Sequence, residues 1–225
     1  MKKKKVEKKS TYDELMGLMA NFSAAYLDPQ IKKKQAGEKY ELPTDQMFCD
    51  VFKGFTEIGD SLDALELIAE LLRAPPPRRK AVRKDHYIKL LVGSYLQEMY
   101  ILEQRMSAYG KKISRLYGNR SLPEMVQKIV YAPMEKLINI RGAHVHQTRF
   151  SDEKLDRVGM FALFESLGHS YGEHLQDEYM FAQLSWARQI AENNKATREI
   201  VNQYSSLITL IITAEDKIFL PTKPS

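Results

Sequence analysis

The sequence predicts an all-α protein, an up-down bundle of long antiparallel helices with an N-terminal helical extension. Two observations lead to this fold class. Apolar residues recur three and four positions apart along most of the chain, which is the spacing of a buried helix face. Hydrophobic residues make up 44% and aromatic residues 10% of the 225 positions, enough to fill a packed core. The chain is therefore long and apolar enough for one sizeable helical domain with an extension.

The first helix is predicted to follow a basic tail, residues 1–9, which we expect to be disordered. Residues 10–14 combine hydroxyl and acidic side chains, a composition typical of a helix N-terminus. We expect Asp28-Pro29 to end this helix, because the residue before a proline avoids the helical conformation. The polar residues 29–43 are then interpreted as a loop.

Two further helical segments complete the N-terminal helices, residues 10–73. Thr44-Asp45 has the composition of a helix cap. The sequence Gly59-Asp60-Ser61 indicates a break, because glycine ends helices readily and the Asp-Ser pair caps the next one. The second segment is then expected to end near Ile58 and the third to run to Arg73.

A linker rich in proline and arginine, residues 74–85, is the clearest boundary in the chain. Pro75, Pro76 and Pro77 are consecutive; they lack backbone donors and hold the chain extended. We therefore place the boundary between the N-terminal helices and a helical-bundle domain, residues 86–216, in this linker.

The strongest periodicity follows the linker. Nine apolar residues are separated alternately by four and three positions: Ile88, Val92, Tyr95, Met99, Leu102, Met106, Tyr109, Ile113 and Leu116. Such a heptad-like stripe predicts one long helix, ending at Gly118, that packs lengthwise against near-antiparallel neighbours.

The remaining helices are predicted from caps and prolines. Leu122-Pro123 starts a helix that Pro133 is expected to kink. Residues 151–153 cap a helix from Leu155 to about Ala191, and a last one runs from about Lys195 to Asp216. That last segment is rich in β-branched residues, so an isolated strand is the alternative. Residues 217–225 are predicted to be a tail.

Charge and cysteine content limit the partners and the cellular location that we expect for the chain. The net charge is +5, and residues 1–9 alone hold six lysines and one glutamate. Such a basic tail is typical of a solvated arm, with nucleic-acid contact as the alternative. The single cysteine, Cys49, excludes an intrachain disulfide framework and favours a cytoplasmic location. No apolar run approaches the ~18 residues of a membrane span, so we expect no membrane partner.

The most suggestive functional feature is the run from Arg141 to His146, with Gly142 and His144 between them. On a straight helix Arg141 and His146 would lie about 140° apart around the axis. They converge only if the helix ends or bends, which Gly142 permits. A guanidinium that binds phosphate beside an imidazole that titrates near neutrality would suit phosphodiester chemistry. The alternative is that these cations cap the C-terminus of the preceding helix.

An arginine and a histidine separated by four residues, late in a helical bundle, resemble the motif of the HEPN superfamily. The resemblance covers residues 86–190. It implies a homodimeric helical bundle that binds RNA or cleaves it without a metal, as in phage-defence and toxin–antitoxin ribonucleases. Arg141 would then stabilise the phosphate and His146 would act as general acid or base, with His144 as an auxiliary polar group. Gly142 stands where active members carry a polar residue, so a non-catalytic RNA-binding or scaffolding relative remains the alternative.

A second histidine cluster, with Glu165, His169 and Glu173 four apart, would share one face of a continuous helix. Metal ligation and solvated ion pairs are both compatible with this spacing, and the ion pairs are favoured because the Glu-x-x-His motif of di-iron bundles is absent. We therefore predict no metal and no cofactor. Gly168 and Gly172 are interpreted as the close approach of another helix, within the chain or in a dimer.

A single-stranded RNA surface along the long helix, and a protein interface, are the other functional hypotheses. The first would use aromatic and basic residues of that helix for stacking and phosphate contacts. These residues are Tyr87, Tyr95, Tyr100, Tyr109, Tyr117, Arg105, Lys111, Lys112 and Arg115. The second describes a non-catalytic scaffold whose bundle and basic linker dock a protein partner.

Overall fold

The computed structural model describes residues 11–39, 46–78, 82–135 and 152–221. Within these ranges the chain forms six α-helices and one short β-hairpin, which confirms the predicted all-α helical bundle. The helices and strands are α1 (Thr11–Gln35), α2 (Gln46–Arg73), α3 (Lys84–Tyr117), α4 (Leu122–Val126), α5 (Glu153–Ser166), α6 (Gly172–Ile212), β1 (Thr213–Ala214) and β2 (Lys217–Ile218). No helix in the described ranges is both long and apolar enough to cross a membrane.

The residues divide into two compact units by their contacts. Unit 1 contains residues 1–57, 105–132 and 198–225, and unit 2 contains residues 58–104 and 133–197. The helices α2, α3 and α6 contribute residues to both units. Both units therefore take residues from the two sides of the proline-rich linker, whereas the sequence predicts a boundary in the linker itself.

The apolar stripe of α3 is buried as predicted. Eight of its nine members are at most 2% exposed, and only the last, Leu116, is partly exposed. The predicted end at Gly118 is also correct, because α3 stops at Tyr117 and Gly118 adopts a positive φ of 69°. Alternating spacings of four and three keep one face of a helix turned toward its neighbours, so the sequence alone identified this buried face.

Helix α1 does not end at Asp28-Pro29, so that prediction is wrong. The helix continues through Pro29 to Gln35. A proline removes one backbone hydrogen bond, and the turns on either side retain theirs. Three lysines in the last turn, Lys32, Lys33 and Lys34, also interact favourably with the exposed carbonyls of the helix end. The predicted loop thus begins after Gln35, and the predicted cap Thr44-Asp45 lies outside the described residues.

Helix α2 runs unbroken through Gly59-Asp60-Ser61, so the predicted break is wrong as well. The Ser61 side chain is fully buried, and its hydroxyl donates to Oε1 of Glu98 at 2.6 Å. Because this hydroxyl has a partner on α3, it does not act as a cap for a new helix. The flanking apolar residues Ile58 and Leu65 are buried on one face of the continuous helix.

The linker ends α2 where the sequence predicts. Helix α2 stops at Arg73, and residues 75–78 have no regular secondary structure. The side-chain amide of Gln183 on α6 donates to the carbonyl oxygens of Leu72 (2.7 Å) and Ala74 (2.9 Å). These bonds satisfy carbonyls that a helix C-terminus leaves without partners.

Helix α4 starts at Leu122-Pro123 as predicted and is followed by a π-helical turn. The side chain of Asn119 accepts hydrogen bonds from the backbone N–H groups of Ser121 and Leu122. Residues Gln127–Tyr131 form a π-helical turn, after which residues 132–135 are helical again. The irregular turn precedes Pro133, whose ring in a regular α-helix would collide with the carbonyl four residues earlier.

The segment after Asp152 starts as predicted but continues differently. The Asp152 carboxylate accepts a hydrogen bond from the Leu155 N–H at 3.1 Å and caps α5. The predicted helix from Leu155 to about Ala191 is wrong, because α5 ends at Ser166. There the His169 N–H donates to the Phe164 carbonyl and the Gly168 N–H donates to that of Glu165. This is a Schellman motif, and its glycine, Gly168, has a φ of 87°.

The second predicted end, between Ala191 and Lys195, is absent because α6 runs without interruption from Gly172 to Ile212. Its buried side chains include Tyr179, Ile190 and Tyr204. The Tyr204 hydroxyl donates to the Met106 carbonyl at 2.9 Å. Burial of large side chains on both sides of the Asn193-Asn194 pair stabilises one continuous helix.

The last helix ends four residues earlier than predicted, in a tight hairpin. Thr213 pairs with Ile218 and Ala214 with Lys217. The two residues between them, Glu215 and Asp216, have positive φ values of 49° and 58°, the conformation of a two-residue hairpin turn. The predicted C-terminal tail therefore begins inside a strand pair, and residues 222–225 lie outside the described ranges.

Candidate functional site

The predicted catalytic residues Arg141 and His146, with the auxiliary His144, lie outside the described residues, as do residues 136–151 as a whole. Their convergence therefore stays a prediction. The predicted basic tail, residues 1–9, also lies outside the described ranges.

The described residues on both sides of this segment belong to unit 2 and have well-defined contacts. On the N-terminal side, Met134 is 1% exposed. On the C-terminal side, the carboxylate of Asp152 caps α5 and accepts a hydrogen bond from the Trp186 indole N–H at 3.3 Å. The segment that carries Arg141 and His146 thus joins two anchored positions of the same unit.

The second histidine cluster does not share a helix face. Gly168 and His169 lie in the turn between α5 and α6, so Glu165, His169 and Glu173 are not stacked on one continuous helix. No group of three or more His, Cys, Asp or Glu side chains is arranged to hold a metal in the ranges that the structure describes. Gly168 acts in helix termination, and apart from its chain neighbours no described residue lies within 4 Å of a methyl group added there, so the predicted close approach of a helix within the described chain is absent. A dimer contact at this glycine stays a prediction.

The α5–α6 turn instead assembles an aromatic cluster that the sequence analysis did not identify. We use this name for Phe161, Phe164, His169, Tyr171 and His174. Ring centroids of neighbouring members are 5.6–6.4 Å apart, in tilted, stacked and edge-on pairs. Such separations are favourable for aromatic contacts. The signal in the sequence was two pairs of ring-bearing residues, each three positions apart, on either side of Gly168: Phe161 with Phe164, and Tyr171 with His174.

A charged pair adjoins the aromatic cluster. The Arg157 guanidinium lies 6.0 Å from the centroid of the Phe181 ring, and its Nε is 3.3 Å from Oε2 of Glu178. Arg157 is therefore held on the side of α5 that faces α6.

Seven exposed large apolar or aromatic side chains lie on α5, on residues 172–184 of α6 and on the turn between them, and we call them the α5–α6 surface. They are Met160, Leu163, Leu167, Tyr171, Met180, Phe181 and Leu184. Their spacing of three and four on α5 matches the spacing of the buried side chains of the same helix. The α5–α6 surface therefore consists of a second apolar face that the described fold does not cover.

Most of the tyrosines named for an RNA-stacking surface on α3 have structural roles instead. Tyr95 and Tyr109 are buried, and the Tyr109 hydroxyl donates to the Val51 carbonyl at 3.0 Å. Burial raises the pKa of both phenols above the ordinary value. Tyr117 donates to the Phe219 carbonyl, and burial raises its pKa to about 12. At least three of the five tyrosines therefore act in the core or in packing.

The basic residues from Arg105 to Lys128 are only partly neutralised. Residues 105–132 contain six lysines and arginines and a single acid, Glu124. Arg105 donates to the Glu57 carbonyl, whereas Lys112 and Lys128 pair with Asp50 and Glu124. The remaining three are exposed and make no salt bridge with any other described residue: Lys111, Arg115 and Arg120. We call these three the basic surface of unit 1.

No protein-family model, no curated protein and no solved structure matches this chain. The likeness to the HEPN superfamily therefore rests on Arg141, His146 and the helical context of these two residues.

Proposed function

We propose that the chain handles RNA, as a HEPN-like RNA-binding protein or as a metal-independent ribonuclease that acts at a cleft between two protomers. The observation that carries the proposal is the Arg141–His146 run, which joins the helical residues up to 135 to the capped start of α5. On a straight helix these two side chains would lie about 140° apart, so the proposal requires the helix to end or bend between them, which Gly142 permits. With such a bend an arginine and a histidine five positions apart would face one phosphate.

The chemistry of such a pair is a transesterification within the RNA chain. The Arg141 guanidinium would bind the phosphate oxygens and stabilise the charge that develops there. The 2′-hydroxyl would attack the adjacent phosphorus and lose its proton to a base, and the 5′-oxygen would leave with a proton from an acid. An imidazole is suited to either proton transfer near neutral pH, and His146 fills one of these two roles. The products would be a 2′,3′-cyclic phosphate and a 5′-hydroxyl.

The basic surface of unit 1 supports an RNA partner independently of the motif. Exposed cations without acidic neighbours bind phosphates and release counterions, which gives a salt-dependent affinity. Lys111 and Arg115 are four apart on α3, and such like-charged neighbours are unfavourable in the absence of an anion.

The direct test mixes the purified full chain with single-stranded RNA in EDTA. Cleavage that leaves 2′,3′-cyclic phosphate ends, and is abolished in Arg141→Ala and in His146→Ala, is expected for the ribonuclease. His86→Ala is the control, because this histidine is exposed on α3 and has no part in the proposal. RNA binding without cleavage would identify the non-catalytic relative that Gly142 suggests. Absence of both cleavage and binding contradicts the proposal.

A second candidate function is that of a non-catalytic interaction protein, and the α5–α6 surface favours it. Exposed apolar patches larger than a few hundred Å² are typical of interaction sites. Aromatic residues, methionine and arginine are enriched in protein interfaces. The surface contains Met160, Met180, Tyr171 and Phe181, and the Arg157 guanidinium lies over the Phe181 ring. On this hypothesis Arg141→Ala and His146→Ala leave partner binding unchanged.

A further inference from the structure

We propose that the α5–α6 surface binds a basic amphipathic helix supplied by a protein partner. The proposal specifies the second candidate function and is independent of RNA handling. It is carried by the apolar side chains of the surface together with the charges around them.

The apolar part of the surface is an uncovered helix face. On α5, Leu155, Val158 and Ala162 are buried. Met160 and Leu163 on the other face, and Leu167 directly after the helix, repeat at the same spacing and are exposed. On α6, Phe181 and Leu184 are three positions apart and 52% and 69% exposed. Rows of side chains three and four apart form the ridges into which another helix packs.

The acidic part of the surface lies beside these apolar residues. Residues 153–188 contain six acids and three bases, in a chain whose net charge is +5. Three of these acids, Glu165, Glu173 and Asp177, are exposed and make no salt bridge with another described residue. Glu173 and Asp177 are four apart on α6 and share the face of Phe181 and Leu184, which follow at four and seven positions from Asp177.

The apolar row and the acidic residues together indicate what kind of partner would bind this surface. A partner helix would place leucine-like side chains against Phe181 and Leu184. Its lysine or arginine stems would cross the apolar surface and bring their charges to Glu173 and Asp177. RNA is disfavoured because its phosphates would face carboxylates. A second copy of the chain is disfavoured as well, because it would bring the same acid-rich surface against itself.

The probe is a short designed helix of leucine and lysine with a fluorescent label, and its anisotropy is measured on titration with the full chain. The matched probe replaces every lysine with glutamate. We expect the leucine–lysine helix to bind at least about tenfold more tightly, because its charges complement Glu173 and Asp177. Exchanging the two acids, Glu173→Lys with Asp177→Lys, is expected to reverse this preference.

Apolar contact is tested with Phe181→Glu and Leu184→Glu, each expected to weaken binding of the leucine–lysine helix about tenfold or more. The control is Leu210→Glu, because Leu210 lies on the same helix and is 80% exposed but is outside the proposed surface. These three side chains are at least half-exposed, so the variants should retain the helical content of the wild type, which circular dichroism verifies.

Three outcomes overturn the proposal: equal binding of both probes, an equal loss in Leu210→Glu, or self-association through this surface. The last is seen by sedimentation as a dimer of the wild type that Leu184→Glu converts to a monomer. Arg141→Ala and His146→Ala are expected to bind the probe normally. Loss of RNA cleavage and loss of helix binding are therefore separable results.

Discussion

Helix α3 and the α5–α6 region have the same type of apolar spacing but differ in burial. On α3 the stripe from Ile88 to Ile113 is buried, whereas on α5 the row Met160, Leu163, Leu167 is exposed. Both rows satisfy the periodicity of a helix face. The comparison shows that spacing identifies a face of a helix but not whether another element covers it. An uncovered face of this kind is where a partner is expected to bind.

The sharpest test of this contrast compares two leucines of unit 2. Leu102→Ala on α3 is expected to lower the free energy of unfolding by about 2–5 kcal/mol, because a fully buried side chain leaves a cavity. Leu184→Ala on α6 is expected to change it by less than ~0.5 kcal/mol, since this side chain is mostly exposed. Urea denaturation followed by circular dichroism measures both values. Equal losses would show that Leu184 is covered in solution.

A second test probes how closely α2 packs against the α3 stripe. A methyl group at Gly54 would collide with the Tyr109 ring, and that ring is fixed by burial and by its hydrogen bond to Val51. Gly54→Ala is therefore expected to cost about 1–3 kcal/mol. Gly93→Ala on α3 is the matched control, because nothing lies within 4 Å of the added methyl group. It should stabilise the protein by up to ~1 kcal/mol through higher helix propensity.

Thermal unfolding of both glycine variants supplies the measurement. A melting temperature of Gly54→Ala at or above that of the wild type would contradict the close contact between Gly54 and Tyr109.

The smallest expected effect concerns the turn that separates α5 from α6. Gly168 has a φ of 87°, a conformation in which any Cβ is strained. Gly168→Ala is expected to cost about 1 kcal/mol and Gly168→Asn less, because asparagine tolerates the left-handed region better. The order of stability glycine, asparagine, alanine in chemical denaturation confirms the Schellman turn. A stabilised Gly168→Ala would favour the continuous helix that the sequence alone predicts.

Local signals identified the regular parts of the fold. The heptad-like stripe located α3, the Pro75–Pro77 run marked the end of α2, and Asp152 was correctly predicted to cap α5. The proline run and the Asp152 cap act within a few residues of their own positions, and the α3 stripe is a repeat within one segment. Each signal can therefore be recognised without knowing which element packs nearby.

The wrong boundaries share a different cause. Gly59-Asp60-Ser61 reads as a helix break, but Ser61 has a hydrogen-bond partner on α3 that is distant in sequence. The asparagines and the lysine near 193–195 resemble a helix end, yet the side chains of α6 are buried on both sides of them. A cap or a glycine changes stability by about 1 kcal/mol, whereas burial of one large side chain contributes about 1.5–3 kcal/mol.

For the candidate site, the sequence predicted which chemical groups are present but not how they are arranged. Arginine and histidine at positions 141 and 146 imply phosphate binding and proton transfer from residue type alone. Their distance depends on the path of residues 136–151, which no periodic signal specifies. The aromatic cluster was missed for a related reason: its members meet only because Gly168 ends α5 and turns the chain back.

The sequence by itself therefore determined the helical class, the apolar face of α3 and the chemical character of the Arg141–His146 run. These properties follow from side-chain identity and spacing within a single segment. The tertiary structure decided which helices continue past residues that locally favour a helix end. It also decided which of two equivalent apolar faces on α5 is buried. Those outcomes depend on contacts between segments far apart in the chain, whose burial free energy exceeds the local preferences that a sequence displays.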